Sequence, residues 1–510
     1  MKRGRPYPRS MPRGLLAVAS LAVCLPLLAA TPQTVAEQLQ RGREALQAGE
    51  YETAIEALGA ASEKAPDNIE VRYLLGQARF LAGQIEAAIP DLEMARDRSG
   101  GIGAVQFVLG QAYLTLRRFA DADVALRAAE RERPDHPPIS FFRADLCYQV
   151  GRLEAADILF ERASELAPSW GLPPFRRGII ALDRDQPGRA ADFLGRAADL
   201  QPDNAETLLV LATARFRLQD PSGALSSLQR AVARAPGFLP ARLALTERYE
   251  RLTRFEAMLE QVDAILGRWP HNATAHVQRA RHRSLTGDLK GALADVELAV
   301  ARMDGVPTGL PGVRPGDLWR LSGDLVTQAK SLRVNLLSRL GRTADALREA
   351  KSLIQSHPDF PDGYFLLGNL LRRAGDRPGA AETLARFKAL TDARGHRLSG
   401  DGHLDAGKLA LARPQYEAAL RKNPDDPRAL VSLAQIARRQ GPSAEALELL
   451  ERARGLGASA ADWYREQILA LMDAGQERDA LAAWDDAQQI GIALVPEVWA
   501  QVYQAPAGCR

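Results

Sequence analysis

The sequence is short of cysteine, lysine, aromatic side chains and long apolar runs, and each shortage removes a class of protein. Only Cys24, Cys147 and Cys509 occur in 510 residues, too few for a disulfide-built scaffold and never at the spacing of a zinc site. Cys147 and Cys509 lie far apart along the chain, so the expected state is a buried small hydrophobe and a tail thiol. Aromatic residues make up 6% of a chain that is 46% hydrophobic, which suits many thin interfaces of Ala and Leu rather than one thick core. Lysine supplies eight of the 66 basic residues, and basic residues nearly balance the 63 acidic ones, so the clustered positive excess that nucleic acid requires is missing.

Chemistry is equally sparse. There is no Gly-Lys-Ser/Thr phosphate loop, no His-Glu-x-x-His pair and no Gly-x-Ser-x-Gly elbow. Gly101-Ile102-Gly103 begins like a dinucleotide fingerprint, but Gln106 stands where the third glycine belongs and no strand precedes it. His396 and His403, near Asp401 and Asp405, read as polar-face residues rather than metal ligands, and Asp425-Asp426 and Asp485-Asp486 read as solvated charge. No catalytic, cofactor-binding or metal-binding residue is assigned.

What is present is a repeat. Val35 to Asn68 reads as two short amphipathic helices. Leu39, Gly42, Ala45 and Leu46 lie at helical spacing before a turn at Gly49, then Ala54, Leu58 and Ala61 form a small-and-apolar stripe that Pro66 ends. Steps of 34 from Ala54 reach Ala88, Ala122, Ala156, Ala190 and Ala224, then Met258, then Ala292. The same steps from Ala61 reach Ala95, Ala129, Ala163, Ala197 and Ala231, then Ile265, then Ala299. Pro134, Pro168, Pro202, Pro236 and Pro270 keep the interval, and small positions return at Ala346, Ala380, Ala412, Ala446 and Ala480. One hairpin cannot bury its own stripe, so repetition at a fixed period predicts stacked neighbours.

On Gly42, Ala45, Ala54, Leu58, Ala61 and Pro66 the unit resembles the tetratricopeptide repeat, and about thirteen units run from Val35 to Ile492. The early first-helix Trp of that pattern is replaced by Gln38, Arg72 and Gln106. The resemblance implies an all-α, right-handed superhelical solenoid in two sub-arrays. About eight repeats are expected within 31–303, a Gly/Pro-rich loop at 304–316, about five repeats within 317–492, and a capping helix and tail at 493–510. The loop is either a joint or a tolerated surface insertion. Around it, Asp317 to Arg320 is where a hidden enzyme would have to sit. Val498, Trp499 and Val502 are the candidate cap.

Residues 1–30 differ in kind. Lys2, Arg3, Arg5, Arg9 and Arg13 precede an apolar run from Leu15 to Ala30, the order of a secretory signal peptide cleaved near Ala30. The run of about 16 residues is short beside the ~20 of a spanning helix, though an uncleaved anchor is the alternative. The expected location is therefore periplasmic or secreted. Loss of those five basic residues leaves 61 basic against 63 acidic, near neutrality.

If the units fold as the resemblance implies, first helices line a groove. Register brings Tyr73, Phe80, Phe107, Phe141, Phe142, Tyr148, Phe175 and Phe216 toward it, then Arg281, Arg339, Arg372, Arg373, Arg438 and Arg439. The positions of the Lys, Asn and Arg clamp found in cytosolic co-chaperones hold Leu39, Arg43, Leu74, Ala104 and Val108 instead, so that clamp is missing there. The expected function is a non-catalytic protein-interaction scaffold in the bacterial cell envelope, within an assembly or secretion complex such as exopolysaccharide export. The alternative is direct binding of an anionic polysaccharide or acidic peptide along the arginine-bearing groove.

Overall fold

A computed structural model describes residues 34–303, 325–441, 443–456 and 460–489. The expected signal peptide at 1–30, the expected loop at 304–316, Asp317 to Arg320, the expected cap from Pro496 to Tyr503, and Cys24 and Cys509 lie outside the described residues. Within them every regular element is a helix, and two compact units divide between Gln201 and Pro202.

The first unit holds α1 (Val35–Ala48), α2 (Tyr51–Lys64), α3 (Ile69–Leu81), α4 (Ile85–Ser99), α5 (Gly103–Thr115), α6 (Phe119–Glu132), α7 (Pro137–Gln149), α8 (Leu153–Leu166), α9 (Leu172–Asp183) and α10 (Pro187–Leu200). The second begins with α11 (Ala205–Arg217), α12 (Pro221–Arg234), α13 (Leu239–Arg251), α14 (Phe255–Arg268), α15 (Ala273–Thr286) and α16 (Leu289–Met303). It continues with α17 (Leu325–Arg339), α18 (Thr343–Ser356), α19 (Pro361–Arg373), α20 (Arg377–Asp405), α21 (Leu409–Lys422), α22 (Pro427–Gln440), α23 (Ser443–Gly455), α24 (Ala460–Asp473) and α25 (Glu477–Gln489). Helices adjacent in sequence pack as hairpins, and first helices also touch along the stack: α1 with α3 and α3 with α5 in one unit, α15 with α17 and α17 with α19 in the other.

The close approach inside a hairpin has a specific cause. A methyl group added at Gly178 would stand 2.5 Å from Leu194 Cγ, and one at Gly110 would stand 2.6 Å from Leu126 Cγ. Gly76 faces Leu92 and Gly368 faces Leu384 in the same way. Where the first-helix residue is larger, some hairpins carry a smaller opposite residue, as Thr246 with Val262 and Val334 with Ala350, while Ala144 with Phe160 and Ile468 with Trp484 do not. Met258, Val262 and Ile265 are fully buried with Leu245 and Tyr249, so the least typical unit buries the same face with bulkier side chains.

The prolines act at the second-helix ends. Ala65, before Pro66, leaves the helical region at φ −135° and ψ 69°, and Arg133, before Pro134, does the same at φ −135° and ψ 74°. The next helix then starts on a side-chain cap, as where Asn68 Oδ1 accepts from Val71 N at 3.1 Å. At that register α20 carries Asp392 instead of proline, and Ala380 and Ala412 are 32 residues apart rather than 34. The missing stop fuses two helices into one of 29 residues, whose successive parts pair with α19 and α21.

The turn inside each hairpin needs a left-handed residue. Gly49 meets it at φ 76°, but Thr253 meets it at φ 55° with a β-branched side chain. Cys147, buried in α7, is disulfide-bonded, which replaces the expected free thiol.

Three substitutions test these backbones. Gly178→Ala gains ~1 kcal/mol of helix propensity but forces Leu194 aside at ~1–3 kcal/mol, so the melting temperature should fall, and Leu194→Val should restore part of it. Gly195→Ala, in the same hairpin with open space around the added methyl, should raise stability by up to ~1 kcal/mol. Thr253→Gly should also stabilise, by ~1 kcal/mol, through release of the left-handed strain; an unchanged or lower melting temperature would contradict that account.

Candidate interaction surface

Part of the charge on the first helices is consumed within the hairpins. Asp91, three residues after Ala88, accepts from Arg72 at 2.7 Å and also pairs with Arg79. Asp295, three residues after Ala292, holds the same register. It accepts from Arg279 at 2.7 Å and Arg283 at 2.8 Å, with His276 Nδ1 at 3.2 Å. Arg242 reaches Gln261 at 2.7 Å and Arg333 reaches Glu349 at 2.6 Å in equivalent places. These locks were not anticipated from the sequence. Counting from the alanine column would have aligned their acceptors.

Burial works against ionisation of Asp295, but hydrogen bonds from Arg279 and His276 and the charges of Arg279 and Arg283 outweigh it and hold its carboxyl below the ordinary range. A lowered folded pKa gives stability that is complete above the unfolded value of ~3.9 and lost as pH falls through the folded one.

The aromatic set of the first unit is tied together. Phe141 and Phe142 are 4% and 6% exposed, and their rings meet at 5.5 Å. Phe141 also packs on Phe160 at 5.1 Å and Trp170 at 4.9 Å. Half-buried Phe107 lies 5.6 Å from Phe142 and 5.7 Å from His136, whose pKa burial lowers, assisted by Arg133. Tyr73 is half-buried against Leu74 and its neighbours; burial pushes its phenol up while Arg133 pulls it down. Phe175 is buried, Phe80 is half-buried, and Tyr148 donates to Asp183 at 2.8 Å. Ring packing between hairpins therefore employs Phe107, Phe141 and Phe142, while Tyr73 and Phe80 keep part of their surface in solvent.

In the second unit Phe216 is 38% exposed, with the Arg248 guanidinium 3.5 Å above its ring. Phe365, 47% exposed, stands fifteen residues before Ala380, as Tyr73 does before Ala88. It belongs to the aromatic register and was missed because the interval had been counted only from the early units.

The arginines divide by partner. Arg438 is spent on Glu466 at 3.3 Å and Asp473 at 3.1 Å, and Arg281 pairs with Glu250 at 3.5 Å and donates to Gln328. Arg339 donates to the Ser284 carbonyl and hydroxyl at 3.0 and 2.7 Å, Arg372 to Asn369 at 3.0 Å and Arg373 to Ser338 at 3.3 Å. These three, and exposed Arg439, carry the basic surface. His396 bonds Gln415 at 3.1 Å, and no cluster of three or more metal-ligating residues occurs among the described residues. Asp426 caps α22 through Arg428 N at 3.1 Å.

First helices α13, α15 and α17 border a cavity of about 310 Å³, lined by Glu247, Glu250, Arg251, Thr274, Val277, Gln278, Arg281, Leu325 and Gln328. Arg251 pairs with Glu247 at 2.7 Å on its rim. Beside it, burial lowers the pKa of Arg248, with Glu247 opposing and Arg251 assisting.

Asp295→Ala should cost ~1–3 kcal/mol, because Arg279, Arg283 and His276 lose their buried acceptor while both guanidinium groups keep part of their surface in solvent. Asp295→Asn should cost less and flatten the loss of stability below about pH 4 in acid titrations of the melting temperature. An acid limb unchanged by Asp295→Asn would show that other carboxylates govern it.

Profiles described as tetratricopeptide repeat match residues 45–101, 107–169, 175–237, 332–394 and 398–462, together more than half of the chain. The cellulose synthase operon protein C of Xanthomonas axonopodis pv. citri (strain 306) is 26% identical over 322 residues, 58% of this chain and 19% of that protein. The chain thus matches about a fifth of that relative's length. Among solved structures, Pseudomonas aeruginosa pilF is 15% identical over 42% of this chain and 97% of its own, at a TM-score of 0.37. PilW, a type IV pilus biogenesis factor, is 18% identical over 41% of this chain and 96% of its own, also at 0.37.

Proposed function

From a chain that belongs to the tetratricopeptide repeat family, we propose a non-catalytic protein-interaction scaffold that serves an assembly or secretion machine of the bacterial cell envelope. The observation that carries this reading is that first helices touch along the stack and keep some large side chains in solvent. Phe216 and Phe365 remain partly exposed there, as do Arg372 and Arg373. Side chains fixed on rigid helices let an extended or helical partner bind without the host ordering itself. The basic-then-apolar order of residues 1–30 supports export, and the relative named for a cellulose synthase operon supports exopolysaccharide export as the machine served.

A second reading, direct binding of an anionic polysaccharide or acidic peptide, is favoured by one observation. Arg339, Arg372 and Arg373 are bonded to neutral partners, with no carboxylate paired to them among the described residues. It requires salt-sensitive binding to polygalacturonate that Arg372→Glu with Arg373→Glu abolishes.

Affinity purification of the C-terminally tagged chain from its native host, with mass spectrometry and N-terminal sequencing, tests the scaffold. Envelope proteins in stoichiometric amounts and an N-terminus near Thr31 are expected. Cytoplasmic partners with an intact N-terminus would overturn the envelope assignment.

A further inference from the structure

From α13 onward, the last or next-to-last residue of each successive helix on the inner row forms a column, seven residues before the Ala54 register of the helix that follows. It reads Arg251, Leu285, Arg339, Arg373 and Asp405. Its three middle rungs are open. Leu285 is 73% exposed, and Arg339 and Arg373 are exposed as well. Both guanidinium groups are oriented by neutral groups of the preceding first helix, Arg339 by the Ser284 carbonyl and hydroxyl and Arg373 by the Ser338 hydroxyl. Each bond fixes a direction, and a guanidinium has further donors to offer.

The charge around these rungs does not cancel. Residues 339–348 and 372–377, where α17 and α19 end and their hairpin partners begin, hold Arg339, Arg342, Arg348, Arg372, Arg373 and Arg377 against Asp345 and Asp376. Asp345 is taken by Arg342 at 2.8 Å and Arg348 at 3.0 Å, and Asp376 accepts from Gly379 N at 2.9 Å. The outer rungs are of another kind: Arg251 is neutralised by Glu247 at 2.7 Å, and exposed Asp405 repels an anion.

The spacing selects a conformation. α15 touches α17 and α17 touches α19, and packed helices stand ~8–10 Å apart. A polyproline II chain repeats every three residues with a rise of ~3.1 Å per residue, so its side chains at i, i+3 and i+6 share one face at ~9 Å steps. We propose that this column binds a polyproline II segment of the partner protein carrying one apolar and two acidic residues at three-residue steps, the apolar side chain on Leu285 and the carboxylates on Arg339 and Arg373. The exposed leucine favours a polypeptide over an anionic polysaccharide, which has no aliphatic side chain to cover it. Asp405 ends the acidic run after two rungs. The inference rests on the scaffold reading and adds the pattern that the partner must present.

The test uses the purified full-length chain and fluorescein-labelled peptides with acetylated and amidated ends, read by fluorescence anisotropy. The core is Leu-Ser-Pro-Asp-Ser-Pro-Asp, in this order and reversed, beside versions with Asn for Asp, Ser for Leu, or the two Asp placed side by side at unchanged composition. The better of the two orders should bind at least ~tenfold more tightly than its Asn and adjacent-Asp versions. Leu285→Ser should erase the advantage of the peptide leucine. Arg339→Gln with Arg373→Gln should erase the preference for Asp over Asn, and Arg339→Glu with Arg373→Glu should turn it into a preference for Lys. All three positions are exposed, so melting curves should stay near wild type; should the glutamate pair fail to fold, the glutamine pair decides. Equal binding of spaced and adjacent Asp, a preference unmoved by the paired variants, or no binding by any peptide overturns the column. Binding of polygalacturonate as tight per carboxylate as that of the spaced peptide overturns it too, and assigns the arginines to a polysaccharide. None of these outcomes alters the co-purification result that decides the scaffold.

Discussion

Two helices of a hairpin in this protein approach until a glycine backbone on one receives a leucine branch from the other, and nearly every other feature is arranged around that distance. At Gly178 no side chain fits opposite Leu194, and at Gly400 even the edge of Tyr416 would lie 2.9 Å from an added methyl. Some hairpins trade size across the pair, Thr246 with Val262 and Val334 with Ala350, whereas Ala144 shares its hairpin with Phe160 and Ile468 with Trp484, so the spacing of the two helices is set hairpin by hairpin. Dense interiors tolerate neither a void nor an extra methylene at such a contact. Each hairpin then contributes one thin layer, and the interior is a series of these layers instead of a single core.

Thin layers leave little apolar area to fix the tilt of one helix on the other. Polar locks supplement it: Asp91 and Asp295, themselves nearly fully buried, each hold two arginines of the facing helix whose guanidinium groups stay partly in solvent. A buried ion pair adds little net stability against an apolar replacement but is costly to break, which suits a device that fixes register. The arginine-rich composition therefore has two populations. Arg72, Arg79, Arg279 and Arg283 face inward to carboxylates, whereas Arg372 and Arg373 face outward with neutral partners. Counting arginines cannot separate them, and this is why Arg438 was grouped with the surface although Glu466, 2% exposed, holds it.

The hairpin helices, their stops and their small-residue contacts were legible because each rests on residues that recur at a fixed interval: Ala54 and Ala61 for approach, Pro66 for termination. The fused α20 was legible in principle, since Asp392 replaces the proline and the interval shortens to 32. The surface was less legible. Register assigns Phe107, Phe141 and Phe142 to a first-helix face, but whether a ring meets solvent or the next hairpin depends on side-chain direction across the stack, which the repeat does not encode. Cavities are harder still. The pocket at Gln278 is created by residues from three hairpins, and no single unit carries its signature.

One register shows how a uniform backbone carries varied chemistry. In the first unit the position of Phe80 recurs as Leu114, Tyr148 and Leu182; in the second it recurs as Phe216, Glu250, Ser284, Ser338 and Arg372. The hairpin contacts beneath do not change in kind, because Gly or a small residue against its partner is set by a different helix face. Substitution at its exposed members, Phe216 and Arg372, is the least coupled to folding, whereas Leu114 and Leu182 on the same register are buried, and substitution there, as at Gly178 or Asp295, reaches the packing. The first unit presents an apolar and aromatic face, and the second a charged one whose sign changes from Glu250 to Arg372. A partner matched to both needs an apolar stretch for one and ordered charges for the other, and it is the sequence of the outward register, not the fold, that selects it.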